Sequence, residues 1–291
     1  MRHGIRIPPR FVPYLMLAPA LAFIFAFILY PLGLNFYTSF QHRVFTEPSG
    51  NRFVGLANYV SVATDPTFWL VLRQSAVWVT GSLAFQFLLG LALALLLNER
   101  FPARGLYRSL ILSPWAISGV IIAIMWKWMY NPQVGVLNEI LVRLGLTSHR
   151  LAFLADPSTA LPAVIATNIW RGTPFFAVML LAALQAVPKE LYEAGEIDGT
   201  APLQRFRFIT LPMLRNLFMI CSLLSMVFSL GDFVIIRIMT GGAPGDSTHV
   251  LATLAYRYAF QMGNVDWAVG TFMTALPITL LFIFILMRWV K

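Results

Sequence analysis

The chain has 291 residues, 58% of them hydrophobic and 11% charged, with a formal net charge of +9. Soluble domains carry roughly 25% charged residues, and the mean hydropathy here is +0.74, so lipid rather than water must be the solvent for much of this chain. The basic excess forms no nucleic-acid-binding block, because Lys and Arg sit in short clusters between apolar runs, and the single cysteine, Cys221, excludes an intrachain disulfide or a cysteine-based metal cluster.

The start, Met1 to Arg10 followed by an apolar run, has the outline of a signal peptide. The run from Phe11 is too long for the apolar core of one, so an uncleaved first span is expected. No charged residue occurs from Phe11 to His42, Gln74 to Asn98, Ser109 to Trp126 or Trp267 to Met287. Pro157 to Pro188 is interrupted only by Arg171, and Asn216 to Ile236 only by Asp232. Crossing the hydrocarbon takes roughly 20 residues of helix. Six transmembrane helices are therefore predicted, at about 12–40, 70–97, 107–130, 161–187, 210–232 and 267–289. The ten-residue alternating segments of a membrane barrel do not occur. The expected fold is an all-α membrane protein, one transmembrane domain over residues 1–291.

Loop charges orient it. The amino terminus, the loops after spans two and four, and the carboxyl terminus hold twelve Lys and Arg residues, against six in the longer opposite loops. Positive residues stay inside, so both termini and the loop at about 188–210 are expected in the cytoplasm.

That loop is unusual. Pro188 and the acidic Glu190, Glu193 and Glu196 suit a helix amino terminus and its dipole. Gly199 follows as a residue able to end the helix at positive φ, and Thr200 is placed to cap a second short helix carrying Pro202 in its first turn. Leu191, Ala194, Ile197 and Leu203 would cover one side of this helix-turn-helix.

The order Glu193-Ala194-Gly195, three residues ending in Asp198, Gly199, nine residues, then Ile209-x-Leu211-Pro212 resembles the EAA loop of ABC-importer permeases. Gly195 departs from the pattern, which usually has a second Ala there; both are small. Phe53-Val-Gly-Leu-x-Asn58-Tyr59, Trp170-Arg-Gly-x-Pro174-Phe175 and Thr240-Gly-Gly-x-Pro244 extend the similarity over essentially the whole chain, towards the maltose/glycerol-3-phosphate type of first permease subunit among the carbohydrate-uptake permeases. The resemblance implies a type I importer permease fold in the inner membrane of a bacterium. It makes 188–212 the coupling loop, with Glu190, Glu193, Ala194, Gly195, Asp198, Gly199, Ile209, Leu211 and Pro212 against an ATPase. Its implied partners are a second similar permease, an ABC ATPase dimer and an extracytoplasmic solute-binding protein docking near Gly241, Gly242 and Pro244. As a bare sequence, that last stretch reads equally as a flexible turn. The chain's own lysines follow Trp126, Pro188 and Val290, so it has no Gly-Lys-Ser/Thr phosphate loop. ATP and magnesium are expected on the ATPase, and no cofactor, metal or catalytic site on this chain.

Ionisable groups inside spans are costly and by default functional candidates. Asn168, Arg171, Gly172 and Phe175 fall at i, i+3, i+4 and i+7 in span four, and Ser225, Phe228, Ser229 and Asp232 repeat that spacing in span five. Sugar hydroxyls need hydrogen-bond partners and sugar C–H faces suit an aromatic wall. By resemblance to maltose-type permeases the two stripes are the path of a sugar-like solute. Two plainer roles stand beside this: Arg171 pairing with Asp232 or backbone carbonyls, and serines cementing helices. Lys127 reads as a snorkelling residue at the outer end of span three, and Trp69 with Phe68 places 41–69 near the membrane surface. The functional expectation is alternating access in an ATP-driven, binding-protein-dependent importer. Its rivals are an ATP-independent secondary transporter or channel, which would show broken repeats or intramembrane proton carriers, and a membrane enzyme, for which no Ser/His/Asp set or metal motif lies at one depth.

Overall fold

Apolar runs of this length must satisfy their own backbone hydrogen bonds in lipid, and only helices do so within a single segment. The computed structural model describes residues 8, 12–44, 47–99 and 101–290. Met1 to Arg10 apart from Pro8, and with it the expected uncleaved start and Arg2, Arg6 and Arg10, lies outside the described residues, as do Arg100 and Lys291. Five helices are long and apolar enough to cross a bilayer. They are α1 (Val12–Thr38), α3 (Pro66–Asn98), α7 (Pro157–Ala186), α9 (Pro202–Leu230) and α12 (Val265–Val290).

The third expected span is not one helix. It is α4 (Arg104–Ala116) and α5 (Gly119–Met129), bent by 96° at Ile117 and Ser118. Pro114 removes a hydrogen bond near the end of α4, and both junction residues take an extended ψ of 138°. The fifth span differs as well. The short helix expected at Pro202 continues unbroken into it through wide turns at Phe206–Thr210, and the helix stops at Leu230. Asp232 therefore sits in the turn just beyond, its N–H donating to Ser229 O at 3.3 Å.

Of the elements too short to span, the sequence predicts only the helix after Pro188 with its turn; the others escape a search for 20-residue runs. A hairpin pairs β1 (Gln41–Val44) antiparallel with β2 (Glu47–Phe53), Gln41 opposite Phe53. Its residues are polar and show no apolar alternation. After α2 (Ala57–Thr64) the connections fold as α6 (Val136–Arg143), α8 (Lys189–Ile197), α10 (Val234–Met239) and α11 (Leu251–Tyr256). Asn58 locks the hairpin to the foot of α1, its amide donating to Ser39 O and Gln41 O at 2.9 and 2.8 Å. Tyr59 OH meets Ser39 Oγ at 2.7 Å. Asn138 closes the α6 loop in the same way, accepting from Leu151 N at 2.7 Å. Lys127 donates to Ile238 O at 3.1 Å, tying α5 to α10. Trp69 is exposed and donates to Ala63 O at 2.8 Å, while Phe68 is buried beside it.

The bundle is built on α3 and α7, which pack along most of their length. Small residues let membrane helices approach closely. A Cβ on Gly90 would lie 2.4 Å from Phe176 Cβ, so the two backbones meet there with no room for a side chain. Leu91, Ala94, Leu97, Leu180, Leu184 and Cys221 complete the buried cluster around that contact. Helix α1 stands apart, its residues exposed up to Tyr37. Gly90→Val should force α3 from α7 and cost about 1–3 kcal/mol of overpacking, read as a lower thermal unfolding midpoint of the purified protein; an unchanged midpoint would show that the helices are not held this close.

Candidate functional site

The two stripes predicted on α7 and α9 meet. Asn168, Arg171, Gly172, Phe175, Ser225, Phe228, Ser229 and Asp232 all line one cavity of about 390 Å³, joined by Gln86 of α3 and by Trp115, Ile117 and Gly119 at the α4–α5 break. The helical period explains seven of the first eight, which fall on one face of α7 and one face of α9, while Asp232 is brought in by the turn just past Leu230. The last four had no comparable signal. Gln86 stands in a charge-free run, and the broken helix that brings Ile117 and Gly119 to the wall was not foreseen. Non-helical backbone at membrane depth is tolerated where it lines a cavity in this way.

Hydrogen bonds fix the wall. Gln86 Nε2 donates to Asn168 O at 2.9 Å, while its Oε1 accepts from Ser225 Oγ at 2.8 Å, so one buried amide ties α3 to both α7 and α9. Asn168 Nδ2 donates to Ser82 Oγ at 3.0 Å, and Trp78 Nε1 donates to Ser229 O at 2.9 Å. Arg171 donates to Asn168 Oδ1 at 3.2 Å and forms an ion pair with Asp232. The pairing anticipated for Arg171 is thus present, and it lies in the cavity wall. Gly172 has a steric reason, since a Cβ there would meet Gln86 Nε2 at 2.3 Å. Trp115 and Phe175, with ring centroids 6.4 Å apart, and the exposed Phe228 supply the aromatic part. The arrangement can accept a polar, hydroxyl-rich solute about the size of a small saccharide; it holds no nucleophile–base pair.

At one end of the bundle, α8 carries Glu190, Glu193 and Ala194, all exposed, and Asp198 ends it, its N–H donating to Ala194 O at 3.0 Å. Gly199 follows at φ +72°, the left-handed conformation glycine adopts without strain. Thr200 does not cap the next helix as expected. Its hydroxyl turns back to Gly195 O at 2.6 Å, and Gln204 accepts from Ala201 N–H at 2.8 Å instead. Gly195 is buried in this turn: a Cβ would lie 3.0 Å from Thr200 Oγ1 and 3.2 Å from Ile209 Cδ1. Arg205 pairs with Glu196, and Tyr192 OH meets Thr210 Oγ1 at 3.0 Å. Leu211 and Pro212 are exposed on the continuing helix. The apolar residues expected on one side of the motif, Leu191, Ala194, Ile197 and Leu203, are all exposed. Ile197 and Leu203 are 86% and 76% exposed and point away from the chain's own body.

Residues 240–250 form a tight loop between α10 and α11. Gly241 at φ +68° and Pro244 are half-buried, but Gly242 is buried beneath the His249 ring, 2.1 Å from where its Cβ would be. Gly242 therefore has no room for a side chain, and it is buried within the loop. Thr240 and Thr248 hydroxyls meet at 2.8 Å, and Asp246 accepts from Arg257 at 2.5 Å. His249 Nδ1 lies 3.0 Å from Thr253 Oγ1. Burial pushes the His249 imidazole below the ordinary histidine range; nearby Asp246 opposes this, while Arg257 and Arg237 add to it.

Residues 86–291 match the family of binding-protein-dependent transport system inner membrane components. The trehalose/maltose transport system permease of Thermococcus litoralis is 37% identical over 93% of this chain and 90% of that protein. The sulfoquinovosyl glycerol transport system permease of Agrobacterium fabrum is 34% identical over 84% of this chain and 78% of its own length. Among solved structures, a chain of a bacterial ABC transporter involved in import of the acidic polysaccharide alginate superimposes with a TM-score of 0.80 at 25% identity, covering 96% of this chain and 94% of that one.

Gly172→Ala should press on Gln86 and break its bonds to Asn168 and Ser225, at a cost of about 1–3 kcal/mol. Gln86→Ala in the same chain makes room, so the double variant should unfold nearer to the parent than the sum of the two single changes predicts; strict additivity would separate the two residues. The folded chain binds the His249 proton less readily than an unfolded one, whose value is 6.5. Stabilisation from this group is complete above that pH and declines as pH falls through it. Amide exchange across 240–250, corrected for its intrinsic pH dependence, should quicken below that value in the parent and much less in His249→Gln.

Proposed function

We infer that this chain, which belongs to the family of binding-protein-dependent transport system inner membrane components, is the membrane permease of an ATP-driven importer for a sugar or sugar derivative. The observation that carries this reading is the single cavity in which two polar helix faces, one buried glutamine and an aromatic wall converge. A solute rich in hydroxyls finds hydrogen-bond partners there, and its C–H faces find Trp115, Phe175 and Phe228. The relatives named for trehalose/maltose and for sulfoquinovosyl glycerol transport support the same solute class.

The chain works as a transport subunit. ATP hydrolysis belongs to a separate ATPase, with ATP and magnesium bound there. The exposed apolar residues Ile197 and Leu203 on a rigid turn fit a groove in that partner, with the acidic Glu190 and Glu193 beside them. An apolar patch presented by a braced helix-turn-helix would otherwise be left in water. This reading places residues 188–212 and both termini in the cytoplasm of a bacterium, in agreement with the excess of Lys and Arg in those loops. Loop 240–250 then faces an extracytoplasmic solute-binding protein, through Gly241, Pro244 and their exposed neighbours. A second, similar permease covers the open side of the cavity.

Transport proceeds by alternating access. ATP closes the ATPase dimer, α8 moves with it, and α9 is displaced because the turn at Gly195–Thr200 and the unbroken helix from Pro202 to Leu230 transmit the motion rigidly. Ligands shift such equilibria only through differential binding to the two states. Ile197→Asp combined with Leu203→Asp should abolish co-purification of the ATPase and ATP-driven uptake in proteoliposomes, while the chain still inserts and folds. Gly199→Val, strained at its positive φ, should weaken both by roughly tenfold or more. Normal assembly and uptake in both variants would remove the coupling role of this turn.

A further inference from the structure

Membership of the family leaves the charge of the solute open, since a trehalose/maltose permease and an alginate importer both resemble this chain. The cavity wall does not leave it open. Of the twelve residues that line it, only Arg171 and Asp232 are ionisable, and they are bonded to each other. Asn168 Oδ1 takes a further guanidinium N–H, so the cation is held by two oxygens from two elements. The Asp232 side chain is 5% exposed and the Arg171 side chain 25%, so Asp232 backs Arg171 from within the wall and cancels a charge that would otherwise face the solute.

We propose that this pair makes the chain's share of the path electrically neutral and selects an uncharged, hydroxylated solute, with Asp232 as the specificity-determining residue. The proposal rests on the importer reading above and narrows its solute class. An anionic solute reaching for Arg171 would bring a second negative charge against Asp232 with little water to screen it. Drawing Arg171 away instead would leave Asp232 buried and unpaired, which is the costly way to break an ion pair. A cationic solute meets the more exposed guanidinium first. Neutral hydroxyls meet neither penalty, and they have Ser229 and the partly exposed Arg171 side chain as partners.

The remaining polar groups fit this selection. Both ends of the Gln86 amide are occupied within the wall, as is the Asn168 side chain. A wall whose hydrogen bonds are already made binds a passing hydroxyl weakly and releases it, which a path requires and a storage site does not.

The test uses the complete transporter with its own binding protein, reconstituted in proteoliposomes with ATP supplied to the ATPase, and labelled trehalose, maltose and glucuronate as probes. The expected result is ATP-dependent uptake of a neutral sugar and none of glucuronate. Asp232→Asn should reduce neutral-sugar uptake roughly tenfold or more by leaving a free cation in the wall, and adding Arg171→Gln should restore it to within about threefold. Recovery in the doubly changed chain separates charge cancellation from simple loss of folding. Wild-type uptake of glucuronate, carriage of no neutral sugar, an unimpaired Asp232→Asn transporter or a double variant no better than the single one would each overturn the proposal. Import of glucuronate in an ATP-dependent manner would overturn it while leaving the importer reading intact, whereas uptake that needs no ATP would overturn the importer reading itself.

Discussion

One buried amide sets the spacing of three membrane helices. Gln86 reaches from α3 to a backbone carbonyl of α7 and to a serine hydroxyl of α9. In lipid an unmet polar group is costly, so these bonds define where α7 and α9 stand relative to the scaffold helix. The glycine contact between Gly90 and Phe176 holds the same two helices together about one turn further along. Everything in the cavity follows from that spacing, including the reach of Arg171 across to the turn that carries Asp232.

Much of this was legible in the sequence because membrane spans obey a strong rule. Three charge-free runs and two runs broken by a single charge located the five helices, four of them to within a few residues, and a period of 3.6 placed seven residues on two faces that the structure brings to one cavity. The acidic, glycine-ended segment after Pro188 read correctly as a helix and turn. What escaped were features decided by tertiary contacts. Composition shows neither the break at Ile117 and Ser118 nor the role of Gln86, since a proline near a helix end and a glutamine in a span each have several ordinary outcomes. The cap assigned to Thr200 failed because Gly195 O, brought close by the tight turn, offered its hydroxyl a better acceptor.

The α8 turn and the loop at 240–250 are built on different principles. Around α8 the apolar residues face outward and the small residue faces in, so the element is rigid yet incomplete without another surface. Around residues 240–250 the reverse holds: the polar side chains bond to one another, and Gly242 lets the backbone close over His249. The first element keeps its apolar groups exposed, and the loop keeps its own shape through internal bonds. The helix between them, unbroken from Pro202 to Leu230, connects the α8 turn to the cavity wall.

The bent pair α4 and α5 bears on how the chain enters the membrane. At a rise of about 1.5 Å per residue, helices of 13 and 11 residues reach only about 20 and 17 Å, short of the roughly 30 Å hydrocarbon core. Neither half can hold a transmembrane position by itself, and the extended junction between them would leave backbone groups facing lipid. Their depth is set by the neighbours they pack on, α7 for α4 and α10 for α5, and both of these are synthesised later. Insertion of this segment is therefore completed after the next span has arrived, and changes that slow the docking of α7 should strand it at the interface before any effect on the finished bundle is felt.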